Sequence, residues 1–174
     1  MKRDKNLSYR GVVYFYKEDE GGNRILLSRH NAGTLALARL FAHMLIGENI
    51  KNLVPQYLNV HDEYGAPVLV APCELQNRHV EDGYQTTYPD ELPLYNYRAY
   101  FEAQVSKTQI RANAARRARK VVLIDGRNVE LANIYLENSE FAEVFEANDN
   151  LVIVWQMELV YDDIFEEVPD EYKW

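Results

Sequence analysis

The residues of this 174-residue chain whose types suit acid–base, nucleophilic or metal chemistry are its histidines, its cysteine and its adjacent carboxylates. The four histidines are scattered, and no two have a standard metal-ligand spacing. His61, Asp62 and Glu63 offer nitrogen and oxygen ligands, but adjacent side chains on a strand point to opposite faces. Cys73, being alone, excludes an internal disulfide. We expect its thiol to fill a small apolar gap, because nothing near it in the sequence lowers a thiol pKa.

Sequence motifs of known chemistry are missing. The chain has no phosphate-binding glycine loop, no Gly-x-Ser-x-Gly elbow and no paired-cysteine zinc spacing. The acidic pairs Asp162-Asp163 and Glu166-Glu167 lie among polar residues near residue 174, where solvated carboxylates are the default. We therefore predict no catalytic residues, no cofactor and no metal site, and a protein that is not an enzyme.

The composition predicts a folded domain without a membrane segment. A hydrophobic content of 47% is ordinary for a globular protein, and we predict one domain over residues 1–161, followed by an acidic, aromatic tail over 162–174. The net charge of −8 makes nucleic acid an unfavourable main partner. Since no signal peptide is apparent, and the apolar segment 35–46 is too short for a bilayer, we expect folding in a reducing cytoplasm.

Period-two alternation of apolar residues predicts most of the secondary structure. The patterns indicate a first hairpin (residues 11–17 and 24–28) and two long half-buried strands (97–105 and 151–161). They also indicate two short strands (121–124 and 131–136) around a turn at Asp125–Asn128. The fold class that this predicts is α+β, with a mainly antiparallel β-sheet or sandwich.

One helix is predicted over about residues 32–46. Asn31 is a natural N-cap, and Gly47 lies where a helix ends in a left-handed residue. Arg39 and His43 are four residues apart and form a narrow polar stripe, while apolar residues cover most of the remaining surface. We expect this helix to be largely enclosed and packed on the sheet.

Two oppositely charged segments are candidates for a subunit interface. The basic segment, residues 111–120, contains Arg116, Arg117 and Arg119, and the acidic tail, residues 162–174, combines carboxylates with aromatic side chains. One interpretation is that the basic segment is a solvated turn or short helix and that the tail is frayed. Another is that the basic segment binds nucleic acid. The sharper interpretation docks the tail of one copy on the basic segment of the next, a head-to-tail contact that forms a ring when the rotation closes. The tail residues in that interface are Asp163, Phe165, Glu166, Glu167, Tyr172 and Trp174.

A third candidate contact surface is rich in tyrosine. Residues 78–96 are polar and contain two prolines, so we predict the longest irregular stretch of the chain there. Tyr84, Tyr88 and Tyr95 lie in it, and tyrosine offers a large contact area with a polar tip.

The order of these parts resembles small structural proteins of tailed bacteriophages, from the tail, baseplate, collar or fibre-attachment region. The similarity spans roughly residues 25–161: an apolar helix led by Asn31-Ala32-Gly33, a strand entering the basic segment, the run 121–136 and the strand 151–159. It implies a virion component, assembled in the host cytoplasm, that acts in several copies and contacts itself and other virion proteins. The tyrosine-rich stretch and the acidic tail depart from the pattern and leave the position in the virion open. The alternative is a non-enzymatic protein- or peptide-binding module that uses the tyrosine-rich loop 84–97.

Overall fold

The structure is a computed structural model that describes residues 7–19, 22–86, 94–137, 140–146 and 150–162. Its strands are β1 (Leu7–Asp19), β2 (Gly22–Gly33), β3 (Pro55–Asp62), β4 (Cys73–Glu74), β5 (Gln76–Thr86), β6 (Leu94–Ser106), β7 (Ala118–Asp125), β8 (Glu130–Tyr135) and β9 (Asn150–Asp162). They form one sheet in the order β4-β3-β7-β8-β2-β1-β9-β6-β5, and every pairing is antiparallel. The sheet is nearly closed, like a barrel. The prediction of a mainly antiparallel sheet in an α+β fold is confirmed, and the sandwich alternative is not confirmed.

β9 is the central strand of the longer half of the sheet. It pairs with β1 from Leu7↔Tyr161 to Tyr16↔Val152, and with β6 along its whole length. Trp155 and Ile153 are fully buried in the core, as the alternation along this strand predicts. Both predicted long strands are therefore confirmed, as is the first hairpin, β1–β2.

β7 and β8 form the middle of the other half, joined by the predicted turn. The buried Asp125 carboxylate accepts hydrogen bonds from the backbone N–H groups of Arg127 (2.8 Å) and Val129 (2.9 Å). Asn128 has a φ of 66°, a left-handed conformation that asparagine tolerates better than most residues. β8 then pairs with the end of β2 at Ala32↔Asn133, which joins the two halves of the sheet.

The first helix, α1 (Leu35–Leu45), begins later than predicted. Asn31 is a β2 residue, and Thr34 occupies the N-cap position, where its hydroxyl donates to the Glu130 carbonyl of β8 (2.7 Å). The predicted end is confirmed, since Gly47 has a φ of +72°, and the N–H groups of Gly47 and Glu48 donate to the carbonyls of Met44 and His43. This is the hydrogen-bond pattern of a Schellman motif.

The prediction that α1 is largely enclosed is wrong. Only Leu37 and Leu40 of this helix are buried, whereas Leu35 and Leu45 are 86% and 87% exposed. The reason is geometric, because a helix that lies on the outside of a sheet turns only one stripe of residues toward it. The apolar residues outside that stripe stay in solvent.

A second helix, α2 (Glu140–Glu146), corrects the prediction of one helix. It buries Phe141, Ala142 and Phe145, and the Phe141 ring meets the Phe15 ring of β1 edge-on at 6.5 Å. Glu140 also forms an ion pair with Arg29 of β2. The i, i+4 spacing of the two phenylalanines is the sequence signal that indicates a short amphipathic helix here.

The prediction of an irregular loop over residues 78–96 is wrong for its described part. Residues 78–86 belong to β5 and residues 94–96 to β6, and the two strands pair from Gln76↔Glu102 to Thr86↔Leu94. A polar strand is stable here because its backbone hydrogen bonds are made with β6, and its side chains need not be apolar at the edge of the sheet.

Among the described residues, no helix combines the length and apolar character that crossing a membrane requires.

Candidate functional site

An apolar cleft of about 310 Å³ opens between α1 and the sheet. Four α1 residues form one side, and residues of β3, β5, β6 and β9, with one residue just before β3, form the other. The lining residues are Leu37, Leu40, Phe41, Met44, Val54, Pro55, Arg78, Val80, Arg98, Ala99, Phe101 and Met157. We call this the apolar cleft. Its lining is apolar except for two arginines, the combination that suits a ligand with both apolar and acidic groups.

The apolar cleft continues into an exposed apolar surface at the end of α1. Met44 and Val80, which line the cleft, are 49% and 60% exposed, and Ile46 just beyond the helix is 71% exposed. Neighbouring exposed apolar residues of this kind mark binding surfaces more often than single ones do.

Arg98 is held at the apolar cleft by a buried carboxylate. It lies opposite Glu158 across the β6–β9 pair, and its Nε donates to Glu158 Oε1 at 3.1 Å. The Glu158 side chain is 5% exposed. Burial alone lowers the pKa of Arg98, but the hydrogen bond and the charge of Glu158 outweigh it, so the pKa lies above its usual value. The pair keeps the Arg98 guanidinium in the wall of the cleft, with its charge balanced by Glu158.

Arg78 reaches the apolar cleft through an irregularity in β5. The β5–β6 register shifts between Gln76 and His79, and Asn77 there has a φ of 47°. The Asn77 side-chain amide donates to Glu102 of β6 at 3.1 Å. Bulges of this type change the direction of the strand's side chains. Among the described residues, no carboxylate pairs with Arg78.

Three glutamates of the strands around the cleft, β5, β6 and β9, have hydrogen-bond partners other than Arg78. Glu81 accepts a hydrogen bond from the Tyr100 hydroxyl (2.9 Å), Glu102 accepts one from Asn77, and Glu158 is paired with Arg98. The pKa of Tyr100 is raised by burial and by its bond to Glu81, with a smaller opposing effect of Arg98. Within the part of the chain that the structure describes, Arg78 is therefore the charged residue of the cleft lining that has no acidic partner.

In the basic segment, four of the five charged side chains have hydrogen-bond or ion-pair partners on the same chain, and only Arg117 has none among the described residues. Its residues 115–117 form a short 3-10 helix, and Arg116 lies 3.6 Å from Glu146 of α2 with both side chains exposed. Arg119 donates to the carbonyls of Arg116 (3.1 Å) and Ala118 (2.7 Å). Lys120 pairs with Glu130 at 2.7 Å. The predicted basic turn or short helix is thus observed, and the candidate interface residue Arg119 has a role in holding it.

A polar depression lies beside the basic segment. His61, Asp62 and Glu63 line it together with Arg119 and Lys120, and Arg117 borders a smaller hollow with the same two carboxylates. The pKa of His61 is lowered by partial burial and by the charge of Lys120, with Glu130 and Asp62 opposing. Within the part of the chain that the structure describes, no group of three potential ligands is arranged for a metal.

Cys73 is placed as expected for a residue that fills a gap. It is 4% exposed on β4, and its sulfur accepts a hydrogen bond from the Gln109 amide at 3.6 Å. Burial raises the pKa of its thiol, only partly offset by that hydrogen bond. A raised pKa disfavours the thiolate that a nucleophile needs.

The other candidate residues are only partly covered by the structure. Tyr88 and the tail residues Asp163, Phe165, Glu166, Glu167, Tyr172 and Trp174 lie outside the described residues. The backbones of Tyr84 and Tyr95 lie in β5 and β6, paired with Asn96 and Gln85. The sequence analysis missed Arg78 and Arg98. The sequence does contain a signal for Arg98. It is a cation on the polar face of β6, and the mostly apolar strand β9 contains the glutamate that lies opposite it.

Comparison of this chain with models of protein families, with curated proteins and with solved structures finds no match to any of them.

Proposed function

We propose that this chain is a structural component of a phage virion, built into the tail, collar or baseplate, which assembles in several copies and contacts other tail proteins without catalysing a reaction. The observation that carries the assembly role is the uncovered apolar cleft together with the exposed apolar end of α1. A surface of this kind is stabilised when another protein covers it.

The ionisable groups buried in the described residues support a non-enzymatic role. Glu158 is neutralised by Arg98, and Asp125 is used by the backbone and side chain of the turn that it begins. A general acid or base needs a free carboxyl or imidazole facing a cavity, with a pKa near the working pH. Neither carboxylate has that freedom.

The virion assignment itself rests on the similar order of the helix, the short strands and the apolar closing strand in phage tail proteins. Mass spectrometry of purified phage particles tests it directly. We expect the chain at an abundance of several copies per particle. Its absence from particles whose other tail proteins are all detected would reject the virion role, whatever the chain does in solution.

A peptide- or protein-binding module is the alternative that one observation favours. β5, which carries Tyr84, is an edge strand, and an edge strand can accept an added strand from a partner. The neighbouring genes separate the two functions, since genes for portal, capsid and tail proteins on either side favour the virion role. Their absence, with capture of one specific peptide, favours the module.

A further inference from the structure

We propose that the acidic tail (residues 162–174) of a neighbouring copy docks in the apolar cleft. This inference rests on the proposed assembly in several copies, and it moves the docking site away from the basic segment. It assigns Arg78 the role of meeting tail carboxylates, and it assigns Met44 and Val80 the role of covering tail aromatic side chains.

The charges of the two surfaces are complementary. Residues 163–174 contain five carboxylates, Asp163, Glu166, Glu167, Asp170 and Glu171, against one lysine, Lys173. The residues that line the apolar cleft include two arginines and no carboxylate; Arg98 is paired with Glu158, whereas Arg78 has no acidic partner among the described residues. Opposed charges of this kind set the orientation of a contact and speed the encounter.

The basic segment is a less favourable docking site for the same tail. Arg116 faces Glu146, Lys120 is paired with Glu130, and Asp62 and Glu63 border the hollow at Arg117. A tail that docked there would displace or approach these carboxylates, because the hollows are lined mainly by charged and polar residues beside the exposed Tyr64 and Tyr135. Arginine content in the sequence is therefore a weaker guide than the charge left unpaired after folding.

The size of the apolar cleft fits side chains of a peptide. About 310 Å³ lies at the lower end of the roughly 300–1,000 Å³ typical of ligand sites. The tail carries three aromatic residues, Phe165, Tyr172 and Trp174. Aromatic anchors in apolar pockets supply most of the affinity at protein interfaces, so one or two of them suffice to hold the tail.

The path of the chain favours a neighbouring copy. β9 runs from Met157, in the wall of the cleft, to Asp162, which is about 17 Å farther along at ~3.3 Å per residue. Because the described part of β9 leads away from the cleft wall, we infer that the tail of a neighbouring copy occupies the cleft.

Tryptophan fluorescence of the full-length chain provides the test. The chain has two tryptophans, and Trp155 is fully buried, so changes in emission report Trp174. We expect emission to shift to the red on dilution, at the same concentration at which light scattering shows loss of the multimer. A blue emission that does not change with dilution, with a monomeric mass, would show that the tail occupies the cleft of its own copy and would overturn the proposal.

Two matched pairs of variants locate the docking site of the tail. Arg78→Glu and Met44→Asp should each raise the dissociation constant of the multimer at least about tenfold, which is ~1.4 kcal/mol. Arg116→Glu, in the basic segment, and Leu35→Asp, at the opposite end of α1 and outside the cleft lining, should change it less than about twofold. All four side chains are exposed, so we expect each variant to fold. Circular dichroism checks this.

The outcomes separate this inference from the proposed function. A loss of assembly with Arg116→Glu and not with Arg78→Glu would place the tail on the basic segment and overturn the cleft, while leaving the virion role intact. A multimer unaffected by the double substitution Phe165→Ser and Trp174→Ser would reject tail docking altogether. Tail docking in solution by a chain absent from virions would reject the virion role alone.

Discussion

The apolar cleft and the basic segment belong to the same sheet, but apolar side chains surround the arginines of the cleft, whereas charged and polar side chains surround those of the basic segment. In the basic segment, Arg116 and Lys120 lie near carboxylates of the same chain, and Arg119 bonds to nearby carbonyls. In the apolar cleft, Arg98 is neutralised by the buried Glu158, while Arg78 has no acidic partner among the described residues. The density of charge along the sequence therefore does not by itself locate a binding surface, because the apolar area that surrounds a charge is known only after folding.

The largest effect should come from breaking the buried ion pair of the apolar cleft. Arg98→Ala leaves Glu158 buried without its cation, and we expect the free energy of unfolding to fall by about 3–5 kcal/mol. The matched change in the basic segment, Arg116→Ala, removes an exposed pair and should cost less than about 1 kcal/mol. Urea unfolding of the two variants measures both values. Equal losses would contradict the contrast between the two regions.

The next effect concerns the two sides of α1. Leu40→Ala removes a buried side chain between the helix and the sheet, and it should lower the free energy of unfolding by about 2–4 kcal/mol. Leu45→Ala changes an exposed side chain of the same helix and should alter it by less than about 0.5 kcal/mol. Thermal and urea unfolding test the pair. A large loss for Leu45→Ala in the monomer would show that this end of α1 is covered.

A smaller effect is expected at the bulge that places Arg78. Valine is disfavoured at the positive φ of Asn77, so Asn77→Val should cost about 1–2 kcal/mol. Asn77→Gly accepts that backbone conformation and should cost less, although it also loses the hydrogen bond to Glu102. If valine proved as well tolerated as glycine, the bulge would not be a fixed feature of β5.

The smallest effect is a pH dependence in the polar depression. The pKa of His61 is lower in the folded chain than its model value of 6.5, so the unfolded chain binds more protons below that pH. Stability from this residue is therefore present above pH about 6.5 and is lost as the pH falls. We expect His61→Asn to lose less free energy of unfolding between pH about 7.5 and 5.5 than the unmodified chain. An equal loss in both proteins would contradict the lowered pKa.

Much of the fold follows from patterns that are local in the sequence. Alternation identified β6 and β9, and the Asp125–Asn128 turn and the Gly47 helix end are where turn chemistry places them. The start of α1 was predicted wrongly at Asn31 because β2 continues through that residue, and its pairing with Gly11 of β1 outweighs its capping preference. Residues 78–86 were predicted wrongly as a loop, since a polar edge strand shows little alternation.

The candidate site was much less accessible to sequence analysis. Arg78, Arg98 and Met44 are far apart in the chain, and only the β5–β6 register and the position of α1 bring them to one cleft. The exposure of Leu35 and Leu45 is also a tertiary result, since their apolar types predicted burial. In contrast, Cys73 was predicted from its surroundings to be a buried residue that fills a gap, and the structure places it there.

By itself, the sequence determined the antiparallel strands, the turn and the end of the first helix, because period-two burial, Asx hydrogen bonds and a left-handed glycine depend on residues close in the chain. The tertiary structure alone decided which cations are neutralised and which apolar side chains stay exposed. Both depend on pairings such as Arg98 with Glu158, sixty residues apart, which no local pattern specifies.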